Sequence, residues 1–264
     1  MISWAVTGSS RGLGLEFVRQ LSERQDNIVF ALVRNTTSSP ELTKLAASKP
    51  NVHIVLGDLN SLPQLQEAAK TVSSITGGSL DVLINNAAYL DTDTSTLLPS
   101  QLSTTENLEQ VKESISKSVE SNVLGAIYVT NSFLPLIERG TEKKIVHIST
   151  GMADTDLVLG TGIAASVPYS TSKAMLNSLV AKYGAELQPK GIHIVALSPG
   201  WVETSPVPQE ALEWMASMFR KIEPTVNGRI QKEDSVRDQL ETISNLGWEA
   251  QGRMISHHGD RNWF

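Results

Sequence analysis

The sequence predicts an α/β protein built on a doubly wound, mostly parallel sheet flanked by helices. Two observations carry this reading. Short apolar runs rich in Val and Ile recur at 2–6, 28–33, 52–56, 82–84, 145–148 and 192–197, with a last one near 253–256. They do not alternate strictly with polar residues, which is how strands covered on both faces read. The longer stretches between them carry helical spacing instead: Phe17, Val18 and Leu21 in the first, and Leu176, Leu179, Val180 and Tyr183 in a later one. Strands alternating with helices argue for crossover units and a parallel sheet. The rhythm runs along the whole chain of 264 residues and counts seven strands, so a single domain over 1–264 is expected.

Composition narrows the function classes. Hydrophobic residues make up 40% and charged residues 19%, enough for a packed core. The net charge of -6 carries no basic footprint, so no nucleic-acid partner is expected. The chain has no cysteine, which excludes disulfides, thiolate catalysis and Cys-ligated zinc. It enters a glycine loop by residue 8, leaving no room for a leader peptide. No apolar run approaches the roughly 18 residues of a membrane span. A cytoplasmic protein without a membrane partner is therefore expected.

The first strand runs into Thr7, Gly8, Ser9, Ser10, Arg11, Gly12, Leu13 and Gly14, and a helix follows. Glycines at 8, 12 and 14 permit a tight turn and a close backbone approach to a pyrophosphate, with the helix N-terminus adding positive charge. The spacing differs from the usual G-x-G-x-x-G, so the strand–loop–helix context carries much of the signal. An acid at the end of the second strand would suit the ribose hydroxyl of NAD. Arg34 stands there instead. With Arg11 in the loop, two cations at the expected places favour the 2′-phosphate of NADP(H). Either alone reads as an ordinary solvated charge. Asp58, after the third strand, is either an acceptor for the adenine amino group or a cap. Asn85, Asn86, Ala87 and Ala88 follow the fourth strand. Small residues there let the chain pass close to a cofactor, and an Asn can tie neighbouring strand ends together.

Three stretches break the rhythm. Residues 89–104 are polar and rich in Thr and Ser; 151–168 carry glycines and a proline; 203–232 hold Pro206, Pro208 and Pro224 around a helix-like run at 212–219. The second and third leave from carboxyl ends of strands, where ligands sit in open α/β sheets. They read as substrate loops or as plain surface loops.

Tyr169 and Lys173 open a helix, four residues apart and so on one face. A free phenol titrates near pH 10. A neighbouring ammonium would favour the phenolate and lower that value. These pieces together resemble the short-chain dehydrogenase/reductase family in its shorter, single-domain branch. The matching residues are 7–14, Asp58, 85–87, 121–125, 145–150, 169–173 and 198–204, in the family's order. The tail around 252–263 is similar to the carbonyl-reductase-like subgroup that includes C-factor and sniffer proteins.

The resemblance implies a Rossmann-type domain and roles for named residues. Tyr169 is the general acid in reduction and the general base in oxidation. Lys173 lowers the tyrosine pKa and binds the nicotinamide ribose. Asn122 holds a water in the proton relay. Thr150 orients the substrate carbonyl by alignment, while Ser149 serves if the strand ends one residue earlier. The loop 199–204, with Pro199, Gly200, Val202 and Thr204, borders the nicotinamide. Gly8, Ser10, Arg11, Gly12, Leu13, Gly14, Arg34, Asp58, Leu59, Asn86 and Ala87 complete the set expected to hold NADP(H). The implied reaction is reversible reduction of a ketone or aldehyde, with a small-molecule carbonyl or alcohol as partner. Homodimer, homotetramer and monomer all remain open. Ala88 stands where Gly is commoner, and is tolerable unless the position needs a positive φ.

Two rivals stay in view: a non-catalytic, cofactor-sensing protein on the same fold, and an epimerase or dehydratase of the extended branch, for which the chain after residue 200 leaves little room. His53, His147, His193, His257 and His258 show no chelating spacing and read as core or surface residues, so no metal site is expected. Trp201 and Trp214 read as packing or as substrate contacts. Glu106, Glu109, Glu113 and Glu120 read as a solvated face.

Overall fold

A computed structural model describes every residue except Ser38 and Ser205; the latter belongs to the 203–232 segment, and its placement lies outside the described residues. Seven strands form one sheet: β1 (Ile2–Thr7), β2 (Asn27–Val33), β3 (Val52–Leu56), β4 (Val82–Asn85), β5 (Lys144–Ile148), β6 (His193–Ser198) and β7 (Met254–Ser256). Their order is β3-β2-β1-β4-β5-β6-β7. Every pairing is parallel, including that of the final strand. The seven apolar runs of the sequence are these seven strands.

The run Asn27–Val33 shows why they lack alternation. Phe30 and Leu32 enter one core with α3 (Leu62–Thr76), α5 (Gly125–Ile137) and α7 (Val167–Leu187). Val29, Ala31 and Val33 enter the opposite core with α1 (Gly12–Ser22), α2 (Pro40–Ser48) and α9 (Lys232–Ser244). Successive side chains point to opposite faces, so a strand covered on both sides must be apolar throughout. On α7, Leu176, Val180 and Tyr183 are buried and Leu179 is half-buried. Glu106, Glu109, Glu113 and Glu120 are exposed, the last three along or just past α4 (Leu108–Val119).

The first three strands build outward in one direction, and the chain then crosses to β4 on the other side of β1. The reversal lies between β1 and β4, where an open α/β sheet leaves a crevice at its carboxyl edge. The opposite edge is fastened by Asp81. Its carboxylate accepts from Ser3 N and Oγ at 2.8 and 2.7 Å, and from Thr141 N and Oγ1 at 2.7 and 2.8 Å. Those hydrogen bonds hold its carboxyl below the usual range against the opposing effect of burial. Asp81→Ala leaves the buried Ser3 donors without a partner, while the exposed Thr141 donors can turn to solvent; it is expected to cost about 2 kcal/mol, measured by urea denaturation. A loss under about 0.5 kcal/mol, the level of a surface substitution, would mean that the fastening is dispensable.

The two irregular segments carry helices of their own: α6 (Thr155–Thr161) in the first and α8 (Gln209–Phe219) in the second. They share a third apolar cluster. Ile163, Phe219 and Val226 are buried in it, with Met152, Trp201 and Phe264 packed around them. Trp201 meets Phe219 edge-on at 5.0 Å, and Phe219 meets Phe264 at 4.6 Å. Trp201 therefore packs, while Trp214 is exposed. No helix among the described residues is long and apolar enough to cross a membrane.

Candidate active site

The glycine loop is dictated by close backbone approach. Gly8 has φ +68, and a Cβ there would lie 2.8 Å from Ala87 Cα. A Cβ on Gly14 would collide with the carbonyl oxygen of Gly8 and lie 2.6 Å from Asn86 Nδ2. Gly12 has φ +58 and faces open space. The start of α1 has no side-chain cap and no acid in its first turn. The first amides of a helix lack intrahelical partners, and here they lie beside the open space at Gly12. This is a cradle suited to an anionic diphosphate. Ser10 accepts from Ser39 Oγ at 2.6 Å through its carbonyl, and Leu13 packs half-buried against the α1 face of the core.

The loop is tied to the end of β4 across the switch point. Asn86 Nδ2 donates to the carbonyls of Thr7 and Gly8, at 2.9 and 3.3 Å. Thr7 Oγ1 accepts from the amides of Asn86 and Ala87, both at 3.0 Å. The strand-tying role expected of an Asn here falls to Asn86, and Thr7 is a partner that the sequence did not single out. Ala88 does not take a positive φ, so the missing glycine costs nothing there.

Arg11 and Arg34 are both exposed, and neither side chain has a partner among the described residues. Asp58 is half-buried; its Oδ1 accepts from the amide of Asn60 at 3.0 Å, so it caps the turn before α3. Leu59 packs 2.9 Å from where a Cβ on Gly125 would sit, which explains the glycine at the start of α5.

Tyr169 and Lys173 occupy the first two turns of α7. That start is set by Ser166, in the left-handed region at φ +60, whose amide donates to the Ser95 carbonyl at 2.9 Å. The 89–104 stretch thus anchors the helix that carries the pair. Tyr169 is half-buried and Lys173 is 2% exposed. Lys173 Nζ lies 5.9 Å from the Tyr169 ring centre and donates to the Ile148 carbonyl at 2.7 Å. Burial pushes the phenol up to about 12 and the ammonium down to about 8. The lowered phenol pKa expected from the sequence is not what this geometry gives. The ammonium is turned to the end of β5, and desolvation of the phenolate dominates.

Asn122 sits in a π-helical turn, Glu120–Leu124, between α4 and α5. Such turns cluster at functional sites. Its side chain accepts from Tyr89 N at 2.7 Å and donates to Tyr89 O and Ser172 Oγ, both at 2.9 Å. Its side-chain atoms are thereby engaged by protein groups. A cavity of about 10 Å³, lined by Thr7, Asn85, Asn122, His147 and Lys173 among others, lies beside it. That is about the size needed for one water.

Ser149 is buried and donates to Asn177 Oδ1 at 2.7 Å. Thr150 is half-buried; its Oγ1 accepts from Met152 N at 3.3 Å, which leaves its own proton available. After β6, Pro199 accepts from Ser235 Oγ at 2.6 Å. Gly200 has φ +85, and a Cβ there would lie 2.9 Å from the His257 ring. Val202 bridges to Ile230, and Glu203 N donates to Ile230 O at 2.9 Å, while Thr204 is exposed. His257 and Ile230 were not foreseen as neighbours of this loop, because no local pattern links residues so far apart in sequence.

Similarity to known proteins agrees with this arrangement. The family model described as short chain dehydrogenase matches residues 4–215. The short-chain dehydrogenase/reductase atnB of Arthrinium sp is 41% identical, with the whole of both chains covered. The short-chain dehydrogenase/reductase AacuF of Aspergillus aculeatus is 42% identical, again over the whole of both chains. Among solved structures, the NADPH-bound carbonyl reductase from chicken fatty liver superposes with a TM-score of 0.78 at 25% identity, covering 98% of this chain and 97% of that one. The carbonyl reductase Sniffer of D. melanogaster gives 0.80 at 23% identity, covering 98% of each. The parallel sheet, the glycine cradle and the matched sequence together establish that this chain is an oxidoreductase of the short-chain dehydrogenase/reductase family.

Proposed function

We propose that this chain interconverts a ketone or aldehyde and the corresponding alcohol with NADP(H), using Tyr169 as the proton donor and acceptor. The observation that carries the reading is the state of Lys173. It is a buried ammonium with three N–H donors and, among the described residues, a single hydrogen bond, to Ile148, beside the phenol. Ribose hydroxyls of a nicotinamide nucleotide would complete its shell. The uncapped start of α1 and the glycine cradle suit the pyrophosphate of the same molecule. When bound, the cofactor supplies or accepts the hydride.

The protein's own work is proton transfer and positioning. A phenol pushed up to about 12 stays protonated at neutral pH, as a proton donor to a developing alkoxide must. The charge of Lys173 then stabilises the phenolate left behind. Thr150 has a free hydroxyl proton for the substrate oxygen, whereas the Ser149 hydroxyl already donates to Asn177 Oδ1. This difference favours Thr150 as the orienting group. Asn122 fixes the strand-end segment at Tyr89 against α7, and one water in the small cavity would link Lys173 to it. Segments 151–168 and 203–232, joined in the third apolar cluster, form the substrate enclosure of what we read as one domain over 1–264.

The choice of NADP(H) rests on Arg11 and Arg34, exposed and without partners among the described residues, and on the NADPH bound to the similar chicken carbonyl reductase. Fluorescence titration with NADPH and NADH tests it. NADPH is expected to bind at least about tenfold tighter, a difference of roughly 1.4 kcal/mol, and Arg34→Ala to narrow the gap. Equal affinities would make both arginines plain surface charges. Binding of neither would sink the cradle assignment.

A further inference from the structure

His257 and His258 show no chelating spacing in the sequence, but the fold brings them a third donor. Asp238, on α9, faces the turn that follows β7. One ligand atom from each of Asp238, His257 and His258 lies within 4.8 Å of the other two. They line a cleft of about 440 Å³, with Glu241 and Thr242 further along α9.

The turn that carries the two histidines is held in place by hydrogen bonds. Thr242 Oγ1 donates to the His257 carbonyl at 2.7 Å, stapling the turn to α9. Within the turn, the His258 amide donates to Ser256 Oγ at 3.1 Å, and Ser256 Oγ donates to Asp260 at 2.6 Å. His257 is 1% exposed, yet neither ring nitrogen makes a hydrogen bond among the described residues; its Nδ1 is buried and unpartnered. A buried imidazole normally finds a partner.

We propose that Asp238, His257 and His258 form a binding site for a divalent transition-metal ion, with zinc the best fit. Two imidazoles and one carboxylate are a borderline nitrogen–oxygen set that suits zinc, nickel or copper rather than magnesium or calcium. Ligand atoms around tetrahedral zinc sit about 3.4 Å apart, so the donors must draw together. His258 is exposed and makes no side-chain hydrogen bond among the described residues, so it can rotate inward. Asp238 Oδ1 already receives Arg237 at 3.0 Å. Exposed pairs of this kind contribute little, and Oδ2 is left for the ion. The ion would cross-link α9 to the tail and hold the His257 ring against Gly200.

The test is calorimetric titration of the tag-free, chelator-stripped full chain with zinc chloride, with magnesium chloride as control. The expected result is one zinc per chain, saturating in the micromolar range, with no magnesium uptake. His258→Gln and Asp238→Asn, both at solvent-accessible positions, should each weaken zinc binding by at least about tenfold while circular dichroism stays unchanged. Zinc should also raise the melting temperature of the wild type and not of His258→Gln. No saturable uptake by the wild type, or an unchanged affinity in either variant, overturns the proposal.

Discussion

Tyr169→Phe is expected to lower kcat for carbonyl reduction by about 10²–10⁴-fold, the usual worth of a positioned acid or base. NADPH affinity should barely change, because the lost atom is the proton carrier and the ring remains. The pH profile sharpens the test. Lys173, pushed down to about 8, carries its charge below that pH and loses it above. Wild-type reduction should therefore hold steady through neutrality and fall as pH rises through about 8. The phenol, pushed up to about 12, stays protonated across that window and adds no second break. Steady-state rates with NADPH and a panel of ketones measure both effects. Unchanged turnover in the Phe variant would remove Tyr169 from the chemistry and revive the reading of a non-catalytic cofactor-binding protein.

The second large effect belongs to Gly14. A methyl group there would run into the Gly8 carbonyl oxygen and crowd Gly8 C at 2.8 Å, both backbone atoms. Neither can rotate away, so α1 must withdraw from the loop. Gly14→Ala is expected to cost about 3 kcal/mol, lowering Tm by about 6–12 °C in a domain of this size. NADPH affinity should fall with it, since the cradle and the helix start move together. Gly12→Ala is the internal control. Its Cβ would meet nothing within 4 Å, so only the left-handed backbone is penalised, by about 1–2 kcal/mol. Thermal melts of the two variants rank them; the reverse order would mean that a small backbone shift relieves the crowding at Gly14.

Much of the site was legible because its demands are local. A glycine at a positive φ, as at Gly8 and Gly12, answers a backbone requirement at its own position. Tyr169 and Lys173 share a helix face because they stand four residues apart. What was not legible turned on the direction of single side chains. Ser149 and Thr150 are adjacent hydroxyls that sequence alone could not separate. Their hydrogen bonds differ because Asn177, 28 residues away, stands opposite one of them. Nor could the sequence show that the Asn122 side chain is engaged by Tyr89 and Ser172, or that a water-sized cavity lies between it and Lys173.

The sequence by itself determined the parallel sheet, the glycine cradle and the pairing of Tyr169 with Lys173. Each is written in short-range periodicity or spacing, and short-range geometry needs no knowledge of the rest of the chain. Tertiary structure alone decided that burial raises the phenol pKa, since desolvation depends on everything packed around Tyr169. It also decided that the two irregular segments share one apolar cluster, and that Asp238 meets His257 and His258. These contacts join parts of the chain that no local pattern relates. They exist only once the sheet has set the distances between strand ends.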